Sequence, residues 1–130
     1  MKIKSLFLAI VMAIVAIPVS AHHSPASYDT TRRVSIEGTI VTAVFHNPHG
    51  RIRLNVVGRN GSVTEWAAET SASNLLRRRG WVFSQVRAGS HVTLVGHPNK
   101  TVANDIYLRE IRFENGTVFG DAGGSDQALD

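Results

Sequence analysis

The sequence predicts an all-β domain: a small OB-like barrel of five or six strands, with one short helix between the third and fourth strands. Three observations point there. Runs rich in β-branched residues alternate with polar ones. Asn60-Gly61 and Asn115-Gly116 stand between such runs as tight-turn signals. A single short stretch suited to a helix, Asn74 to Arg79, falls between the third and fourth runs, where an OB barrel carries its helix. A plain β-sandwich is the alternative.

The elements follow in order. Val34 to Phe45 is the first strand. Val34, Ile36, Ile40 and Val44 share one parity, and Val41, Ala43 and Phe45 add the other, so the strand is expected to end buried on both faces, with Gly38 supplying a bend. Asn47-Pro48-His49-Gly50 is a turn by composition. Ile52, Leu54 and Val56 alternate with Arg51, Arg53 and Asn55 in a half-buried second strand, and Val63 to Glu69 returns as the third. Ser71 or Ser73 is expected to cap the helix, and Gly80 to end it. His91 to His97 is the fourth strand, stopped by Pro98. Ile106 to Phe113 is the fifth, and Val118-Phe119 returns after it.

Residues 1–21 read as an address. Lys2 and Lys4 precede an apolar run, Leu6 to Ile17, too short to span a bilayer as a helix. Pro18 breaks it, and Val19-Ser20-Ala21 offers the small residues of a signal-peptidase site. The expected organisation is a signal peptide (1–21), an extended N-terminal arm (22–33), the barrel (34–119) and a flexible tail (120–130). The mature chain is expected in the periplasm, without a transmembrane segment. Loss of Lys2 and Lys4 lowers the formal net charge from +4 to +2. A nucleic-acid partner is not expected at that charge in an exported protein. The chain has no cysteine, which excludes disulfides, thiolate zinc sites and iron–sulfur clusters.

Histidine carries the sharpest chemical signal. Cleavage after Ala21 would make His22 the mature N-terminus, where amine and imidazole form one chelate, with His23 beside it. Such nitrogen ligands suit Cu(II). His46 and His49 flank one turn and could face one place. The competing reading is a solvated terminus and a turn histidine bonded within its own loop. His91 and His97 are about 20 Å apart along a strand and read as surface residues.

Trp66, Glu69, Arg77 and Trp81 are candidate ligand-binding residues. The two tryptophans flank the helix, either packing it or offering a platform to a sugar or peptide. Arg77-Arg78-Arg79 either complements the helix dipole or meets an anion. Glu65 and Glu69 share a strand face at roughly 13 Å, beyond the 5–10 Å of a glycosidase pair. No nucleophile elbow or phosphate loop is present, so the sequence argues for no catalysis by the chain itself.

Several strings stand together in order: Ala21-His22-His23-Ser24, Asn47-Pro48-His49, Trp66-Ala67-Ala68-Glu69, Leu76-Arg77-Arg78-Arg79-Gly80-Trp81, Gly89-Ser90-His91-Val92 and Gly96-His97-Pro98. In these the chain resembles the DUF6152 family of small exported proteobacterial proteins of unknown function. Phe45-His46 stands where that family often has Trp before Asn-Pro-His, and Ser90 where it is often acidic. The resemblance implies export and leaves the mechanism open. Three functions follow as expectations: a binding module for a small ligand or protein partner, a copper-binding protein using His22, or an accessory subunit of an exported or membrane enzyme.

Overall fold

The computed structural model describes residues 25–121. Six strands appear: β1 (Val34–Val44), β2 (Gly50–Val57), β3 (Val63–Thr70), β4 (His91–Pro98), β5 (Asp105–Phe113) and β6 (Val118–Gly120). One helix, α1 (Ser73–Arg78), lies between β3 and β4, followed by a 3-10 turn at Phe83–Gln85. The sheet order is β3-β2-β1-β4-β5-β6, and a parallel β3–β5 pairing closes the first five strands into a barrel. Among the described residues only that pairing is parallel, and it spans Ala67↔Asp105, Ala68↔Ile106 and Glu69↔Tyr107. β6 extends the sheet along the other half of the same β5 edge, at Glu110–Arg112. This is the closed five-stranded OB arrangement with one added strand.

Inward-facing residues of every barrel strand fill the core: Ile36, Ile40, Ile52, Leu54, Ala68, Val92, Leu94, Ile106, Leu108 and Ile111 are all buried. Leu76 of α1 is fully buried against them. The helix therefore plugs the barrel, as its place in the strand order predicts. Its six residues could not hold a helical shape in isolation, so burial of Leu76 holds it.

β1 departs from the expected pattern. Val41 is an extra residue between the pairs Ile40↔Leu54 and Thr42↔Arg53. This bulge moves the core-facing parity from even to odd residues. Val41 and Val44 are consequently exposed and Ala43 turns inward. The strand does not end buried on both faces; the mixed apolar pattern records the bulge. β1 also changes partners midway, pairing with β4 from Val34 to Thr39 and with β2 from Thr39 to Val44. Gly38 stands at that changeover. A second bulge, at Arg109 between Glu110↔Val95 and Leu108↔Gly96, turns β5 in the same way.

Other sequence expectations need correction. Neither Ser71 nor Ser73 caps α1, whose N-cap is Ala72, without a side-chain hydrogen bond. Asn47 Oδ1 instead accepts from the Asn74 N–H at 3.3 Å and the Ser73 hydroxyl at 3.1 Å. A loop side chain thus serves the helix start from outside. The described part of the arm is compact rather than extended. Pro25–Ser27 form a 3-10 turn, and Asp29 accepts from the Thr31 N–H and hydroxyl, which also holds the exposed Asp29 carboxyl below its ordinary range. The fold also runs past Phe119. Gly120 belongs to β6, and Asp121 is wholly buried. The expected signal peptide, with His22 and His23, and residues 122–130 of the expected tail lie outside the described residues.

Candidate functional site

The turn after β1 does two jobs. Its His46 carbonyl accepts from the Ser73 N–H at 3.2 Å, and Asn47 holds the helix start. So pinned, residues 46–50 overhang a cavity of about 280 Å³ lined by His46, Asn47, Pro48, His49, Arg51 and Glu69. His46 and His49 both line this cavity. Glu69, proposed from sequence as part of a separate tryptophan site, joins the histidines instead.

The contacts of His49 fix its tautomer. Nδ1 stands 3.2 Å from the Thr70 carbonyl oxygen and 3.4 Å from Glu69 Oε1. Both neighbours are acceptors, so Nδ1 carries the hydrogen and donates. In the neutral ring the lone pair then resides on Nε2. A histidine held through one nitrogen by a carboxylate and a carbonyl is oriented in the manner of metal-binding histidines.

Behind His49 lies a buried polar cluster with no sequence signature. Glu69 and Asp105 are 4% and 5% exposed, and their strands meet in the β3–β5 pairing. The Tyr28 hydroxyl is 3.1 Å from Glu69 Oε2 and 3.0 Å from Asp105 Oδ2. Its single hydrogen can serve either carboxylate. Asp105 receives two further hydrogens, from Arg51 Nη2 at 2.7 Å and Asn99 Nδ2 at 2.9 Å. Burial, then the Asp105 and Glu69 charges, push the Tyr28 phenol far above its ordinary range, so it stays protonated.

Tyr28 also anchors the arm. It bridges to Asn99, and its ring centroid lies 5.5 Å from that of Tyr107. The Asp29 and Lys100 amides donate to the Pro98 and Ser27 carbonyls across the same contact. The arm covers the outer face of β4 at its end. His97, expected at the surface, is therefore buried, its Nδ1 2.6 Å from the Arg32 carbonyl oxygen. His91 stays partly exposed, 3.0 Å from Glu37.

The remaining candidates lie apart. Trp81 is buried, donates to the Gly120 carbonyl at 2.8 Å and stacks on Phe119. Arg77 sits 4.6 Å over the Phe83 ring. Arg79 pairs with Asp121, whose carboxylate also accepts from the Ser71 N–H at 2.9 Å. Burial raises the Asp121 carboxyl above its ordinary range despite that pairing. Trp66 is half-buried and lines a separate groove beside β1. Glu65 is exposed beside Arg53. Trp66, Glu69, Arg77 and Trp81 thus do not converge on one site. Among the described residues, no three His, Asp or Glu side chains form a group able to hold a metal ion. Among them, too, no helix is long and apolar enough to cross a membrane.

No curated protein matches the chain. Among solved structures it is similar to the mitochondrial single-stranded DNA binding protein Rim1 of S. cerevisiae, at 14% identity and a TM-score of 0.49, over 70% of this chain and 96% of that one. It is also similar to the second single-stranded DNA binding protein, SSBb, of Mycobacterium smegmatis, at 16% identity and a TM-score of 0.46, over 64% and 88% of the two chains. In sequence, residues 10–106 match the family of unknown function DUF6152. That match covers well over half of the sequence, and the chain belongs to the DUF6152 family.

Proposed function

We propose that the chain is exported, is cleaved after Ala21, and serves in the periplasm as a binding module with no chemistry of its own, taking Cu(II) at the cavity beneath residues 46–50. The orientation of His49 carries this reading. Its Nδ1 is engaged by Thr70 and Glu69, which orients the ring as hydrogen-bond acceptors orient a metal-binding histidine and puts the neutral ring's lone pair on Nε2. His46 lines the same cavity.

Two histidines alone make a weak site, and the arm supplies the rest. Tyr28 docks on Glu69, the carboxylate that holds His49. His22 lies six residues before Tyr28, a span shortened to at most about 16 Å by the 3-10 turn at Pro25–Ser27. The mature amine and imidazole therefore have the reach to join His46 and His49. An all-nitrogen set of this kind favours Cu(II) over the other common divalent ions. The accessory-subunit reading has less support, because Trp81, Arg77 and Arg79 are engaged within the fold.

Calorimetry with Cu(II) tests the proposal. The chain starting at His22 should bind at least about tenfold more tightly than one carrying an extra N-terminal Gly-Ser, a difference of about 1.4 kcal/mol. His49→Ala should weaken binding further. Equal affinity for all three proteins would dismiss the site.

A further inference from the structure

The geometry points to a second binding site, independent of the copper reading: we propose that the groove between β1 and the β2–β3 hairpin takes an extended peptide segment of another protein as an added strand. The groove encloses about 810 Å³. It opens because β1 pairs with β2 only from Thr39 onward. Gly38 still touches Asn55; before it the two strands diverge, and each shows the other a bare edge.

Backbone directions follow from the hydrogen bonds on the page. The Ile40 amide donates to Ser90, on the β4 side of β1. Successive residues of an antiparallel strand point their amides and carbonyls to opposite edges. Ile36 and Gly38 therefore face β4, while Ser35 and Glu37 face the groove. On the opposite wall the Gly58 amide donates to Ser62, towards β3. Val57 therefore turns its backbone to the groove. Among the described residues no strand pairs with either edge there.

The edges carry little of the usual protection. Proline, charged side chains and bulges blunt exposed strand edges; Val34–Gly38 and Asn55–Val57 contain no proline or lysine, their one charge is Glu37, and the Val41 bulge lies beyond the opening. The acidic side chain of Glu37 is held by His91 at 3.0 Å. Val57 is 68% exposed. Trp66 gives the groove an apolar floor and Arg59 gives it a cation.

The two-walled shape selects the occupant. A second copy of this barrel would bring its β1 already paired to its own β4, so one of that strand's edges is spent. A lone extended peptide has both edges available, one for each wall. Main-chain bonds then supply affinity, and alternate side chains supply selection: apolar ones towards Trp66 and an acidic one towards Arg59.

The test varies the peptide and leaves the protein intact. The probe is an acetylated, amidated heptapeptide of alternating valine and threonine ending in aspartate. Two N-methylated forms accompany it, one blocked at the valines and one at the threonines. NMR titration of the mature chain should show saturable binding, with slowed amide exchange at Ser35, Glu37 and Val57. Each methylated form blocks one edge, and each should bind about tenfold or more weakly, as loss of one or two backbone hydrogen bonds requires. Absence of saturation at roughly 1 mM, the weak end of specific binding, overturns the proposal. So does full binding by either methylated form, which would mean that a wall takes no part. A dimer in sedimentation that the peptide fails to dissociate would assign the edge to a second copy and overturn it equally.

Discussion

Gly38 passes so close beneath Asn55 that a Cβ on the glycine would sit 2.5 Å from the Asn55 carbonyl oxygen. The two residues mark the place where β1 leaves β4 for β2. Their contact is backbone against backbone, so no side-chain movement can relieve a substitution. Gly38→Ala should cost about 1–3 kcal/mol through overpacking, read as a lower midpoint in urea unfolding. A midpoint unchanged from wild type would mean that the strands part there at no cost.

Tyr28 ties the alkaline limit of stability to the arm. Its folded-state pKa lies above the ordinary tyrosine value, because the phenol is buried beside two carboxylates. The stabilisation is fully present below about pH 10 and is lost as pH rises further, by up to about 1.4 kcal/mol per pH unit, because only the unfolded chain then releases the proton. Tyr28→Phe should flatten that limb. It should also cost about 1–3 kcal/mol at neutral pH by taking a hydrogen from buried carboxylates. Unfolding curves at pH 8, 10 and 11 for both proteins decide it: parallel losses in the two would exclude Tyr28 as the source.

Arg79 should matter more at neutral pH than in acid. It faces the Asp121 carboxylate, which is fully buried and whose pKa burial raises. Arg79→Ala leaves that charge to the Ser71 N–H and the nearby Arg109, a loss of about 1–3 kcal/mol at pH 7, below the roughly 3–5 kcal/mol of a buried charge left wholly unpaired. Asp121 contributes stability when protonated, and that contribution fades as pH rises through its folded pKa. The penalty should therefore shrink towards pH 4. Thermal melts of both proteins across that range would show the gap narrowing; a constant gap would contradict the assignment.

Leu76 holds the helix in the barrel. Leu76→Ala should cost about 2–5 kcal/mol, the usual range for a fully buried leucine. Hydrogen exchange should then quicken at the Arg79 and Trp81 amides, which donate to carbonyls of this helix. Protection unaltered at those amides would mean that the helix is held by something else.

Export is testable at the first residue. Lys2, Lys4, the Leu6–Ile17 run and Ala21 predict a periplasmic chain beginning at His22. Edman sequencing of the protein recovered from the periplasm should read His-His-Ser-Pro. A chain that retains Met1 would remove the terminal chelate along with the export reading.

Much of the fold was legible because local chemistry dictates it. Asn60-Gly61 and Asn115-Gly116 do form turns, with both glycines at φ near +80 to +90°, a region closed to most side chains. The alternation of Ile52 and Leu54 with Arg51 and Arg53 maps directly onto the burial of β2. The bulges were hidden, because one extra residue at Val41 imitates a strand buried on two faces. The site was half legible. His46 and His49 are neighbours in sequence, so their shared cavity followed from the turn. Tyr28, Arg51, Asn99 and Asp105 were missed. Tyr28 meets Glu69 across 41 residues and Asp105 across 77, and only barrel closure brings those segments together. A lone tyrosine in an otherwise polar arm was the one available hint.

Three parallel residue pairs close the barrel, and two of them carry the site's carboxylates, Asp105 opposite Ala67 and Glu69 opposite Tyr107. The seam and the candidate site are thus the same piece of chain. Any local opening that parts β3 from β5 separates the two carboxylates and releases Tyr28 from between them. Occupancy of the cavity and integrity of the cylinder are therefore coupled: a molecule that binds only the closed form stabilises it by mass action, acting as a clasp on the shortest join in the wall.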